Sequence, residues 1–170
     1  MARLKTMLRL IDSTSEWSGK VVSFFVVFAM LALLYEIISR YVFHSPTLWA
    51  HEVSHHFYGA HFMIGGAYTL LHRMHVRTDV IVGRLSPRTQ AIVEVIIIMV
   101  FFYYCGLLLF KGGQMAWTSV LRQETVTSVF RSPLWPVKLT IPIGAFLVLM
   151  QGIAKFIRDI YFAVTGEMLV

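Results

Sequence analysis

The feature that most constrains this chain is the segregation of its charged residues into short clusters between long apolar stretches. Of its 170 residues, 57% are hydrophobic and 14% are charged, whereas a soluble domain carries about 25% charged residues. The apolar stretches approach the roughly 20 residues of helix that cross the hydrocarbon core of a bilayer. Much of the folded surface therefore faces lipid, and the sequence predicts an all-α integral membrane protein.

Four stretches have the length and composition of transmembrane helices, and they lie at residues 17–41, 48–71, 89–110 and 139–163. The second of these is the least apolar, because it carries a glutamate and four histidines. Gly59 and Gly66 lie on one face of this span and would allow another helix to approach closely. We therefore expect the second span to lie among the other helices.

The segments outside the four spans are predicted to be interfacial or polar. Residues 1–12 place apolar and basic side chains on opposite faces, which predicts a short amphipathic helix on the membrane surface. A capping box at 13–16 would then begin a new helix. Residues 72–88 form a basic cytoplasmic connection. Residues 111–138 form a long periplasmic segment, which begins where Lys111 and two glycines interrupt the third apolar stretch.

The distribution of basic residues predicts the orientation of the spans. With the N-terminus inside, ten of the 15 Lys and Arg residues fall in inner segments. Membrane proteins retain an excess of Lys and Arg in the cytoplasm, so both termini are predicted to be cytoplasmic. The same bias accounts for the net charge of +6, and no nucleic-acid partner is expected.

His51, Glu52 and His55 form a literal HExxH sequence, the zinc-binding signature of metalloproteases. A zinc protease also needs a third protein ligand in a recognisable downstream context. Glu94, Glu124 and Asp159 have no such context. An intramembrane zinc protease is therefore the weakest of the alternatives, and no metal site is predicted.

The clustering of all seven histidines between His44 and His75 raises the alternative of a haem protein. A membrane haem usually takes its axial histidines from two helices or from opposed positions in one bundle. Here the histidines belong to one span and its two ends, so a single chain could not clamp a haem between helices. A membrane anchor of a respiratory enzyme remains the main alternative, and no cofactor is predicted.

Glu36, Arg40 and Glu52 are charged residues near one boundary of the first two spans. A charge at the bilayer centre costs about 2.5–3.5 kcal/mol on insertion scales, so such residues require partners. Glu36 and Arg40 can pair along their own helix, and Glu52 is close enough in sequence to reach Arg40 across the turn. We interpret the three as a structural polar clamp, within the bundle or against another subunit, rather than as an ion relay.

Three short motifs occur in order along the chain: Arg40 to Phe43, then Trp49 followed by Glu52, then a turn sequence of Arg73, His75 and Asp79. In this order and four-span setting, the chain resembles the small DctQ-type membrane subunit of tripartite ATP-independent periplasmic (TRAP) transporters. The resemblance covers about residues 12–160. It assigns Tyr41, Trp49 and Glu52 to family motifs and leaves His51 as incidental. Tyr41 and Trp49 thereby join the clamp as candidate residues of the subunit interface.

The resemblance implies a non-catalytic subunit of an importer for organic acids or related solutes in a bacterial inner membrane. Its partners would be a large membrane subunit, a periplasmic substrate-binding protein and the lipid bilayer. The large subunit is expected to hold the substrate and ion sites. The small subunit would brace it and help the binding protein to dock, with Arg122 and Arg131 as candidate docking residues.

Overall fold

The computed structural model describes residues 2–72 and 87–165, and these residues form four helices. They are α1 (Ala2–Tyr41), α2 (Ala50–Leu71), α3 (Pro87–Arg122) and α4 (Trp135–Thr165). The described residues contain no β-strand, only an isolated antiparallel bridge between Thr125 and Pro133. The predicted all-α fold is confirmed. Arg73, His75 and Asp79 lie outside the described residues.

Three of the described helices are long and apolar enough to cross a membrane: α1 over Arg3–Tyr41, α3 over Ile96–Arg122 and α4 over Trp135–Tyr161. Many large apolar side chains of α1 and α3 are exposed, including Phe24, Met30 and Tyr103. This surface is suited to lipid, and the prediction of an integral membrane protein is confirmed. α2 is less apolar and is not one of these three helices. It has 22 residues, which corresponds to a length of about 33 Å at 1.5 Å per residue.

The predicted break between residues 1–12 and the first span is wrong, because α1 is one helix of 40 residues. The hydroxyl groups expected to cap a new helix are used differently. The Thr14 hydroxyl donates to the Leu10 carbonyl one turn back, and the Ser15 hydroxyl donates to Gln151 of α4. Leu8 is buried against Ala154 of α4. The N-terminal turns of α1 therefore pack on α4.

The predicted interruption of the third helix at residues 111–113 is also wrong, since α3 continues without a break to Arg122. Gly112 is a point of close packing rather than a helix end. A Cβ atom there would lie 2.8 Å from Cγ2 of Ile141 in α4. Glycine in a membrane helix commonly serves such close approaches, and this need outweighs its low helix propensity.

The fourth helix begins at Trp135, four residues before the predicted residue 139. Pro136 lies in its first turn, where the missing N–H of proline leaves no helical hydrogen bond unmade. The polar segment predicted for residues 111–138 therefore reduces to the α3–α4 loop, residues 123–134. α2 differs less, beginning at residue 50 rather than 48.

The two central helices are α2 and α4, which pack against each other, with α1 against α2 and α3 against α4. The closest approach is at Gly144, where a Cβ atom would overlap the backbone carbonyl oxygen of Met63. A Cβ atom at Gly66 would lie 3.1 Å from Val148, and one at Gly59 would lie 3.3 Å from Val137. The expected helix approach at Gly59 and Gly66 is thus confirmed.

Contacts between distant parts of the chain define two ends of the bundle. At the terminal end, Leu8 of α1 and Ala154 of α4 share a buried cluster. At the loop end, the α3–α4 loop reaches α2, where Ser132 contacts Glu52. The turn between α1 and α2 lies at this same end.

We predict that Gly144→Ala destabilises the chain by about 1–3 kcal/mol, the usual cost of overpacking a close contact. The methyl group would collide with the Met63 carbonyl, which is backbone and cannot rotate away. Gly106→Ala is the matched control, because nothing lies within 4 Å of a Cβ atom there. Thermal unfolding of the purified protein in detergent measures both. Equal melting temperatures for the two variants would contradict the close approach.

Candidate functional site

The carboxylate of Glu36 is the centre of the polar clamp at the end of α1. Its side chain is 8% exposed. Oε1 accepts hydrogen bonds from Nε of Arg40 at 2.9 Å and from Nη2 at 2.5 Å. Oε2 accepts from the backbone N–H of Thr47 at 2.8 Å and from the Thr47 hydroxyl. One carboxylate thus joins the last turns of α1 to the residues that precede α2.

The turn between α1 and α2 is held by further local contacts. The Ser39 hydroxyl donates to the Ser45 carbonyl at 2.5 Å, and His44 adopts a left-handed backbone conformation with φ of 52°. The rings of Tyr35 and Trp49 stack with their centroids 5.6 Å apart, which places Trp49 against α1. Tyr41 is 72% exposed, so this aromatic residue is available to lipid or to another subunit.

Glu52 does not face Arg40 in the structure, so the predicted contact between them is wrong. Its Oε2 accepts from the Ser132 hydroxyl and from the Ser132 backbone N–H at 3.3 Å. The sequence suggested a contact across the short turn, but the first turn of α2 directs Glu52 toward the α3–α4 loop instead. Glu36 and Glu52 therefore hold two different loops at the same end of the bundle.

Four histidines on α2 fall into two groups by environment. His51 and His55 are exposed, with ring centroids 4.3 Å apart. His56 is half-buried, and its Nδ1 lies 2.6 Å from the Glu52 carbonyl oxygen while its Nε2 lies 2.7 Å from the Pro133 carbonyl oxygen. His61 contacts the Val22 carbonyl of α1 through Nδ1 at 2.8 Å. Among residues 2–72 and 87–165, no three His, Cys, Asp or Glu side chains are grouped to hold a metal ion.

The geometry around Glu52 also bears on the HExxH sequence. In a zinc protease the glutamate of this motif is the general base for a metal-bound water. Here the Glu52 carboxylate accepts hydrogen bonds from Ser132, which directs it into a helix-to-loop contact. Of the residues that match the motif, Glu52 is thus arranged to anchor the loop, while His51 and His55 are exposed.

The α3–α4 loop is folded back on itself and tied to both flanking helices. The Val126 N–H donates to the Ser132 carbonyl at 2.9 Å, and the Leu134 N–H donates to the Glu124 carbonyl at 2.8 Å. Glu124 also pairs with Lys138 of α4. The hydrogen bond from Lys138 lowers the pKa of the Glu124 carboxyl below its usual value. This tie therefore persists at neutral pH and is lost only as pH falls through the lowered pKa.

The tip of this loop exposes both apolar and basic side chains. Val129 is 81% exposed and Phe130 is 47% exposed. Arg131 is exposed and has φ of 52°. Arg122, the last residue of α3, is also exposed. Both predicted docking residues are therefore exposed, Arg122 where the loop begins and Arg131 beside its apolar tip.

A third polar cluster, at the terminal end, was not recognised from the sequence. Asp12 accepts from Nε2 of Gln151 at 3.0 Å and from Nη2 of Arg158 at 2.5 Å. The Ser15 hydroxyl donates to Oε1 of Gln151 at 3.0 Å, and both Ser15 and Gln151 are almost fully buried. Asp12 and Ser15 are three residues apart on α1, and Gln151 and Arg158 are seven apart on α4, so each pair lies on one face of its helix. This spacing is the feature of the sequence that could have indicated the cluster.

A shallow depression of about 420 Å³ lies beside the clamp, and it is lined by Glu36, Ile37, Arg40, Tyr41 and His51. Ligand pockets bury most of the surface of a bound solute. This depression is open to its surroundings and its acidic group is already paired with Arg40 and Thr47. It does not have the form of a solute-binding site.

The fold and its polar contacts define an α-helical membrane protein whose buried polar side chains hold helices and loops together. The sequence matches the family described as tripartite ATP-independent periplasmic transporters, DctQ component, over residues 29–161. This range covers most of the chain, and the chain belongs to that family. No curated protein matches it closely enough to count as a relative.

Family membership confirms the resemblance drawn from the short motifs. The chain is a small membrane subunit of a TRAP transporter, and its work is done within a tripartite transport complex at a membrane. The match includes Glu36, Arg40, Glu52 and the whole α3–α4 loop. The terminal cluster lies partly outside it, because Asp12 and Ser15 precede residue 29.

We predict that Glu36→Gln lowers the melting temperature of the purified subunit, because an amide cannot accept on both sides from Arg40 and Thr47. The matched control is Glu16→Gln, which removes another i,i+4 ion pair, with Lys20. The side chains of that pair are 65% and 46% exposed, and exposed pairs contribute little. A melting temperature reduced equally by both substitutions would argue against the clamp.

Proposed function

We propose that all four helices cross a bacterial inner membrane, with the loop end in the periplasm and both termini in the cytoplasm. The excess of Lys and Arg in the segments of the terminal end supports this orientation. The contact between Ser132 and Glu52 supports the four-span arrangement, since it places the α3–α4 loop at the same end of the bundle as the α1–α2 turn. The exposed apolar surface of α1 and α3 is consistent with lipid or a membrane partner around the bundle.

The role of the chain in this proposal is to brace the large membrane subunit without forming part of the transport path. The argument for this role is that the polar groups inside the bundle already have hydrogen-bond partners within the chain. Glu36 and Glu52 are occupied by Arg40, Thr47 and Ser132. Gln151 is occupied by Ser15 and Asp12. A solute or ion pathway needs polar groups that are free to exchange partners.

Substrate binding and ion coupling would then reside in the large subunit, and capture of the solute in the binding protein. The imported solute would be an organic acid or a related compound, as the family resemblance implies. This chain would carry no cofactor and no catalytic residue. Its aromatic residues Tyr41 and Trp49, at the clamp, would lie at the periplasmic boundary of the membrane, where such side chains are enriched.

The α3–α4 loop is proposed to help dock the periplasmic binding protein. The observation that supports docking is that the loop is anchored at its base and exposed at its tip. Glu52, His56 and Lys138 hold its base, while Val129 and Phe130 project from its tip. Arg122 and Arg131 add positive charge beside that tip. Charges at the rim of an interface raise the rate of association more than the affinity.

The proposed orientation predicts that the loop end and the connection between α2 and α3 react from opposite sides of the membrane. Cysteines would replace Thr127 and Ser86 in a background in which the single natural cysteine, Cys105, is alanine. Ser86 belongs to the connection 73–86 that lies outside the described residues. In intact cells an impermeant thiol reagent should label only position 127. Labelling of both positions from outside contradicts the four-span arrangement.

The docking role predicts that Arg122→Glu with Arg131→Glu raises the concentration of binding protein needed for half-maximal uptake. The reversed charges would slow productive encounters, while the amount of assembled membrane complex should not change. Uptake by proteoliposomes, measured over a range of binding-protein concentrations, gives this value. Arg9→Glu, an exposed charge at the terminal end, is the control and should have no effect. An unchanged curve for the double variant would refute docking at this loop.

A further inference from the structure

α2 is a central helix with one face that the rest of the described chain leaves uncovered. Across the molecule the helices follow the order α1, α2, α4 and α3, so that α2 has a neighbour on each of two sides. Residues that recur every three or four positions on a helix share a face. On α2 such residues form an outer stripe, which consists of His51, His55, Tyr58, Phe62 and Gly65. It is about 21 Å long at 1.5 Å per residue.

The outer stripe is open to its surroundings at each of its residues. His51 and His55 are exposed. Tyr58 and Phe62 are 59% and 65% exposed, and their rings stack with the centroids 6.5 Å apart. Nothing lies within 4 Å of a Cβ atom at Gly65. At this glycine another helix could therefore approach the α2 backbone closely.

Lipid is a poor covering for the outer stripe because the stripe carries polar side chains. α2 is not among the three described helices that are apolar enough to cross a membrane by composition. Three of its polar side chains, Glu52, His56 and His61, contact the α3–α4 loop or α1. His51 and His55 remain on the surface. Ionisable side chains on membrane helices normally face protein rather than lipid, so the stripe is suited to a protein partner.

We propose that the outer stripe of α2 binds a membrane helix of the large transporter subunit. This inference rests on the proposed function, in which all four helices cross the membrane and the chain braces that subunit. A partner that covers about 21 Å of α2 must itself lie in the membrane, which excludes the periplasmic binding protein. The large membrane subunit of the tripartite complex is such a partner.

The loop end of the stripe determines the chemistry that the partner helix should offer. His51 also lines the depression beside the clamp, together with Arg40, whose side chain is 54% exposed. A guanidinium group is a positively charged hydrogen-bond donor, so the partner should place carboxylate or carbonyl oxygens here. A second copy of this chain, related by a two-fold axis along the membrane normal, would instead bring Arg40 toward Arg40. The charge pattern therefore favours a different protein.

Site-specific photo-cross-linking in the assembled transporter tests this assignment. A benzophenone amino acid replaces Tyr58 in the outer stripe or, as the matched control, Tyr104 on α3. The two tyrosines are 59% and 58% exposed. The small and large subunits are expressed together, and the membranes are irradiated before purification. We expect a cross-link to the large subunit from position 58 and none above background from position 104.

Three outcomes of this experiment would overturn the proposal. They are a cross-link from position 58 to a second copy of this chain, equal cross-linking to the large subunit from both positions, and no protein cross-link at position 58, which would show that lipid covers the stripe. Failure of the proposed function would have a different result, because the large subunit would then not co-purify with the small subunit at all.

Gly65→Leu tests the same surface by adding bulk where the partner helix would approach. The melting temperature of the subunit purified alone should not fall, because the Cβ position is open. The amount of large subunit that co-purifies should fall by about tenfold, since overpacking a close contact costs enough free energy for such a change. Gly106→Leu, at an equally open position on α3, is the control and should leave assembly unchanged. Unchanged assembly with Gly65→Leu, or an equal loss with Gly106→Leu, would overturn the proposal.

Discussion

The close approach of α2 and α4 at Gly144 is the contact on which the rest of the structure depends. Lipid tails are as apolar as leucine, so helices in a membrane associate through packing and polar contacts rather than through the hydrophobic effect. With glycine at 144, the α4 backbone lies against the Met63 carbonyl of α2. α1 then packs on α2, and α3 packs on α4. A side chain at this point would separate the two helices that carry the other two.

The polar side chains act as connectors between these packed helices. Glu36 holds the α1–α2 turn, Glu52 and His56 hold the α3–α4 loop, and Gln151 joins α4 to α1. Each has a partner on a different element, which reduces the cost of placing polar groups in a low-dielectric environment. The same pairing leaves these groups unable to serve a moving ion or solute without breaking the structure. That is the physical basis for the proposed supporting role.

Much of the fold could be predicted from the sequence because membrane helices are defined by local composition. The sequence predicted the ends of α1 at Tyr41 and of α2 at Leu71. It also indicated the packing face at Gly59 and Gly66 and the family motifs around Arg40 and Trp49. The errors occurred where a local signal competed with a distant contact. Residues 13–16 resemble a helix start, but Ser15 is used by Gln151. Gly112 resembles a helix end, but it packs against Ile141.

The polar contacts were less predictable than the helices, because they join residues far apart in the chain. Glu52 and Ser132 are 80 positions apart, and Asp12 and Arg158 are 146 apart. Nothing local distinguishes Ser132 from Arg40 as the partner of Glu52. The positions of these side chains depend on how far α2 is offset along α4, and that offset depends on how the glycines of each helix fit the facing helix. The side-chain pairs therefore depend on how the helices pack, and they could not be predicted before that packing was known.

The central claim is that this subunit supports the transporter without taking part in ion coupling. The most direct measurement is the ion dependence of uptake in proteoliposomes that contain the complete transporter with Glu36→Gln or Glu52→Gln. Uptake is divided by the amount of assembled complex in each preparation. The account predicts fewer assembled complexes and, for each complex, an unchanged dependence on ion concentration. Normal assembly with an altered ion dependence would contradict it.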